Sequence, residues 1–171
     1  MFKKWLHIML LAAMLVGLYI SSSQPYEDQD MRGSISDMVD EGKWKERLQD
    51  VKLEYGGREI SLDERGTAGV IEFFVRKGVH VVTFAALALL WYLVLRHWLA
   101  ASAALPWSGF LSVMTAVLDE WHQTFTPNRT GLVHDVLLDA CGIVAMMVLI
   151  GLSNMWSGKK KRDKIRASDP F

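Results

Sequence analysis

The sequence predicts an all-α membrane protein: a four-transmembrane-helix bundle with an extracytoplasmic loop that carries a short helix and a β-hairpin. Three observations predict it. Apolar residues gather into four runs, each near the ~20 residues a helix needs to cross hydrocarbon. Charges are sparse in those runs and collect between them. Three groups of basic residues that flank the runs fall on one side, as they do on the cytoplasmic face of membrane proteins.

Composition alone does not announce a membrane protein. Apolar residues make up 51% of the 171, only slightly above a soluble average, so their distribution carries the prediction. The first span is expected at about 5–20, preceded by Lys3 and Lys4. The second covers 78–95 and closes on Arg96, His97 and Trp98. The third covers 103–118 and ends at Asp119. The fourth covers 132–152, interrupted by His134, Asp135 and Asp139. The first run also has the basic start and small residues (Ser21, Ser23) of a cleavable signal. It is long for one, and three spans follow, so it is expected to stay as a span.

Charge sets the orientation. Lys3 and Lys4, Arg96, and the run Lys159-Lys160-Lys161-Arg162 share one side of a four-span chain. That side is assigned to the cytoplasm, with both termini. The membrane domain is expected to cover 1–156, with its outer loop at 21–77, and a basic cytoplasmic tail, 157–171, is expected to be disordered. Net charge is zero, which gives no argument for nucleic acid. The zero hides an asymmetry: 13 acidic against 7 basic residues from Ser21 to Val75, and 6 basic against 2 acidic from Ser157 onward. Arg76 and Lys77 fall on the acidic side, which suggests a specific role or a headgroup contact. The lone Cys141 can form no intrachain disulfide and is expected to be a small buried packing residue.

The outer loop is too long for a simple connector. Val51–Tyr55 and Arg58–Leu62 alternate around Gly56-Gly57, a hairpin signal suited to a type I′ or II′ turn. Leu53 should face Ile60 and Val51 should face Leu62. Such a hairpin is marginal alone and should rest on the bundle or the headgroup layer. Ile35 to Leu48 reads as one amphipathic helix, with Trp44 and Leu48 one turn apart. Thr67 to Arg76 looks helical, and Phe73 and Phe74 suit the membrane interface.

The richest stretch is Asp119 to Gly142. Ionisable residues at a span are costly, so they are usually functional or paired. Asp119, Glu120 and Gln123 share one helix face by spacing. Asp135, Asp139 and Gly142 share a face on the next helix. Arg129 lies in the turn between them. It can pin the hairpin through Asp119 or Asp135, or its planar fork can hold an anionic group. His80 falls level with this cluster, while His122 reads as an interface residue beside Trp121. His80, Glu120 and Asp139 could ligate a metal, but no HxxxH or HExxH pair is present, so neither a metal nor another cofactor is predicted. The ligand-binding candidates are therefore Lys77, His80, Asp119, Glu120, Gln123, Arg129, Asp135 and Asp139. The catalytic candidates are Asp119, Glu120 and His80.

The spacing of Asp119, Glu120, Gln123, Arg129, Asp135, Asp139 and Gly142 resembles that of the VanZ-like family. Ser22-Ser23-Gln24-Pro25 with Gln29, and Arg76-Lys77-x-x-His80, are similar to the family's first-loop and second-span segments. Asp139 stands where the family often has Asn, Phe84 where a hydroxyl-bearing aromatic is frequent, and Met146 where a second small residue is common. The namesake is associated with resistance to the glycopeptide teicoplanin, so the resemblance implies a bacterial envelope role.

Three functions remain open from the residues. The first is binding or remodelling of an envelope component through an outer-leaflet polar site, with membrane lipids, an anionic headgroup or an envelope precursor as partner. The second is an enzyme with Glu120 or Asp119 as general base and His80 assisting. The third is a small transporter or proton relay through Asp139, Asp135 and Glu120.

Overall fold

The computed structural model describes the backbone of residues 1–168 and the side chains of residues 1–160. The elements run α1 (Phe2–Ser23), a 3-10 turn (Tyr26–Gln29), α2 (Arg32–Met38), α3 (Glu41–Leu48), β1 (Lys52–Tyr55), β2 (Arg58–Ser61), α4 (Leu62–Leu95), α5 (Ala101–Gln123) and α6 (Val133–Ser168). Among the described residues, four helices are long and apolar enough to cross a membrane: α1, α4, α5 and α6 as far as Lys160. Each contains all or nearly all of one span expected from the sequence. The protein is a helical membrane bundle with one small antiparallel hairpin.

Helix α4 is the centre of the bundle and packs against α6, α5 and α1. Phe84, Leu87 and Ala88 of α4, Ala116 of α5, Ile143 of α6 and Leu11 of α1 form the main buried cluster. The outward faces expose large apolar side chains, among them Trp5, Val82, Trp107, Leu137 and Leu152. In lipid such faces need no cover, and helices are drawn together by close backbone packing. Gly142 shows the consequence. A Cβ there would run into the Val81 carbonyl of α4, so this glycine sets the α4–α6 approach.

The hairpin has the expected register. Leu53 pairs with Ile60, and the strands stop short of Val51 and Leu62. Gly56 and Gly57 both have positive φ, 59° and 74°, as a type I′ turn requires. The hairpin rests on the bundle: Ile60 is buried, and a Cβ on Gly56 would strike Leu132. Phe73 packs edge-on against Tyr55 at 5.2 Å, while Phe74 is exposed. Ser61 caps α4 by accepting from the Glu64 N–H, and the helix then kinks at Gly66 (φ 66°).

Three expectations change. The helix expected over Ile35–Leu48 is two helices, broken at Val39-Asp40, because the Asp40 carboxylate accepts the Lys43 N–H at 3.3 Å and starts α3 afresh. Cys141 is exposed on the outer face of α6, since its neighbours Gly142 and Ile143 take the inward positions. Residues 157–168, part of the tail expected to be disordered, continue α6. Residues 169–171 of that tail lie outside the described residues.

Candidate functional site

The polar groups gather where α5 ends, α6 begins and the first loop folds back. The last turns of α5 bury Asp119, Glu120 and Gln123. Gln123 Nε2 donates to Asp119 Oδ2 at 2.9 Å. The other Asp119 oxygen accepts from Ser22 Oγ at the end of α1. Thr126 Oγ1 donates to the Ser22 carbonyl at 2.8 Å. These bonds fasten α1 to the turn after α5. Glu120 Oε2 accepts the Leu132 N–H at 2.9 Å, satisfying a donor at the start of α6 that the helix itself cannot pair.

Helix α6 contributes two carboxylates one turn apart. Asp135 Oδ1 accepts from Lys77 Nζ and, at 2.6 Å, from the Tyr55 hydroxyl. Burial and this hydrogen bond push the Tyr55 pKa well above the usual phenol range, so Tyr55 is a permanent donor. Asp139 lies one turn deeper and is fully buried. His80 Nδ1 approaches its Oδ1 at 3.5 Å without a well-aligned hydrogen bond.

The α4 face above His80 carries a network not anticipated from the sequence. Glu72 is buried and accepts from the Tyr26 hydroxyl at 2.7 Å, Arg76 Nη2 at 2.8 Å and the Met31 N–H at 3.3 Å. Arg76 Nη2 also donates to the Gln29 carbonyl at 3.1 Å. At the rim, Arg32 holds the exposed Asp30 carboxyl down at about 2 through side-chain hydrogen bonds.

Arg129 departs from the pinning role. It donates to the neutral Oε1 of Gln29 and forms no ion pair with Asp119 or Asp135. Its Nε is buried without an acceptor. Burial, and then the facing charge of Arg76, pull its pKa below the ordinary guanidinium value. Asp135, one of its two expected partners, is taken by Lys77.

Two cavities meet here. One, of about 440 Å³, lies between α1 and α4. Leu18, Val75, Val79 and Phe84 give it an apolar wall, and Arg76 and Arg129 lie at its polar end. The other, of about 150 Å³, lies under the hairpin and is bounded by Tyr26, Tyr55, Arg58 and Lys77. Arg76, His80, Gln123 and Arg129 line both, so they form the boundary between an apolar slot and a polar chamber.

A family model described as VanZ/LLP1 matches residues 5–154. The chain belongs to the VanZ/LLP1 family. No curated protein and no solved structure matches it. The VanZ/LLP1 match takes in the first loop and the whole polar cluster as well as the spans.

All eight ligand-binding candidates lie at this one end of the VanZ/LLP1 bundle, in separate subgroups. Asp119 and Gln123 are tied to each other and to Ser22. Lys77 is tied to Asp135. His80, Glu120 and Asp139 converge, with donor atoms within 4.8 Å of one another. Arg129 stands over the cavities. Four further residues belong with them: Tyr26, Gln29, Glu72 and Arg76. The i, i+4 spacing of Glu72 and Arg76 was the one local signal available for that pair.

Proposed function

We propose that this VanZ/LLP1 protein binds an anionic amphiphile of the outer leaflet. The acyl part occupies the slot between α1 and α4, and the headgroup is received by Arg129 and Arg76. One observation carries the reading: a half-buried guanidinium, Arg129, has no carboxylate partner among the described residues, carries a buried Nε without an acceptor, and lies with Arg76 at the polar end of a cavity with an apolar wall. Arg76 is already paired with Glu72 at 2.8 Å, so Arg129 is the uncompensated charge, and an anion beside it removes the cost of that isolation. Planar, forked donors suit phosphate or carboxylate. The apolar wall favours a ligand with a hydrocarbon chain over a free anion. A lipid-linked envelope precursor has this chemistry, which is the route by which an envelope role and altered glycopeptide susceptibility would follow.

The other readings draw less support. Of the two candidate bases, Glu120 lines neither cavity, and Asp119, which lines the larger one, has both oxygens engaged by Ser22 and Gln123. A relay through Asp139 would continue into Phe84, Leu87, Ala88 and Ile143, all nearly inaccessible and apolar.

The test is native mass spectrometry of the full chain released from nanodiscs holding equal amounts of an anionic and a zwitterionic phospholipid, with a lipid pyrophosphate as a third arm. The anionic lipids should be retained preferentially. Arg129→Gln should cut that retention about tenfold or more, the size expected for losing a charge-assisted contact. Equal retention of all lipids, unchanged by Arg129→Gln, overturns the proposal. The third arm separates a general anionic lipid from an envelope precursor.

A further inference from the structure

We infer that His80, Glu120 and Asp139 form a divalent-cation site, one layer below the anion pocket. The inference is independent of what Arg129 binds. The three residues come from three different spans, α4, α5 and α6, yet a donor atom of each lies within 4.8 Å of the other two.

The unpaired atoms point to a shared ligand. Asp139 is completely buried, and neither of its oxygens has a hydrogen-bond partner. Glu120 is 4% exposed, and its Oε1 is also without a partner. His80 Nδ1 is the third such atom. These are four unpaired polar atoms in one small volume, where each would be costly if left alone. A proton shared between His80 and Asp139 satisfies one acceptor. It leaves the second Asp139 oxygen and Glu120 Oε1 as they were. A dication between the three side chains engages all of them and balances two carboxylate charges at once.

The donor set indicates the class of metal. One imidazole and two carboxylates suit Zn²⁺ or Mn²⁺, whereas Ca²⁺ and Mg²⁺ favour all-oxygen shells. Donors bound at about 2.1 Å lie roughly 3–4 Å apart, so side-chain shifts of about 1 Å convert the present cluster into a coordination shell. Glu120 is already oriented from behind, because its other oxygen accepts the Leu132 N–H at 2.9 Å. Such fixing of a ligand is what metal sites depend on. Three protein ligands leave a further position open. Of the three ligands, His80 alone lines the two cavities.

The test uses the full chain in detergent, stripped with a chelator, dialysed and titrated with Mn²⁺ under electron paramagnetic resonance, with Zn²⁺ competition. The expected result is one Mn²⁺ per chain, displaced by Zn²⁺, with ¹⁴N modulation from one imidazole. His80→Gln should abolish the nitrogen modulation. Asp139→Asn and Glu120→Gln should each weaken binding at least tenfold, and Asp37→Asn on the exposed surface of α2 should leave it unchanged. Gel filtration and circular dichroism identify any variant that does not fold, and the wild-type stoichiometry and nitrogen signal then decide alone. Absence of bound Mn²⁺ or Zn²⁺ on the folded wild type overturns the inference. So does binding that lacks nitrogen modulation or that survives all three substitutions.

Discussion

Arg129 donates a hydrogen bond to Gln29 Oε1, joining the turn between the third and fourth spans to the loop that follows the first. A neutral amide orients the guanidinium and leaves its charge in place. Gln29→Glu should therefore neutralise Arg129 where it stands. Anionic-lipid retention is expected to fall at least tenfold; the melting temperature should change little, since the stronger carboxylate contact to Arg129 is offset by loss of the amide's donor bonds to the Ser21 carbonyl and Gln24 Oε1, each at 2.9 Å. Lipid competition by native mass spectrometry and a thermal-shift measurement check the two halves separately.

Lys77 and Asp135 form the best-buried lysine–carboxylate pair among the described residues, with side-chain exposures of 17% and 8%. Removing one partner strands the other charge. Lys77→Met should cost about 3 kcal/mol, leaving Asp135 with only the Tyr55 hydroxyl. Adding Asp135→Asn to Lys77→Met should recover more than half of that loss. A double-mutant cycle of unfolding in detergent checks this.

Tyr55 gives a pH prediction. Burial and the bond to Asp135 raise its folded pKa above the ordinary value of 10. Above that pH the unfolded chain releases this proton and the folded chain keeps it, so stability falls as pH rises. The contribution is fully present below pH 10 and is lost above it. Wild type should lose stability between pH 10 and 11 more steeply than Tyr55→Phe, which cannot ionise there. Unfolding midpoints of the two proteins at matched pH provide the comparison.

Gly142→Ala should separate α4 from α6, because its Cβ would meet the Val81 backbone and not a movable side chain. A loss of about 1–3 kcal/mol is expected from overpacking. Gly17→Ala, where a Cβ meets nothing within 4 Å, should be neutral. Thermal unfolding of both variants in the same detergent checks the contrast.

The features legible in the sequence are those set by short-range rules. Apolar run lengths gave the four spans, and Gly56-Gly57 between alternating segments gave the hairpin and its Leu53–Ile60 register. The break at Asp40 was missed because the Trp44–Leu48 spacing continued an apparent helix. The capping signal, a carboxylate three residues before Lys43, was present but weaker than the periodicity around it.

Site membership was readable further than site pairing. An ionisable side chain at a span edge is conspicuous by cost alone, which marked Asp119, Glu120, Asp135 and Asp139. Partner choice depends on how the loop folds back. Ser22 reaches Asp119, and Gln29 reaches Arg129, across about a hundred residues of sequence, and no periodicity spans that distance. His80, Glu120 and Asp139 are recognisable in the sequence as possible ligands, but they form no single-helix metal motif, because the cluster takes one donor from each of three helices.

The most direct test of anion binding at Arg129 is a solid-state rotational-echo measurement between ¹⁵N-labelled arginine side chains and ³¹P of bound anionic lipid, with Arg129→Gln subtracted to assign the signal. A guanidinium nitrogen is expected within about 4 Å of phosphorus, as a direct charge-assisted hydrogen bond requires, with loss of that contact in the variant. Dephasing that is absent, or equal in wild type and Arg129→Gln, would contradict it.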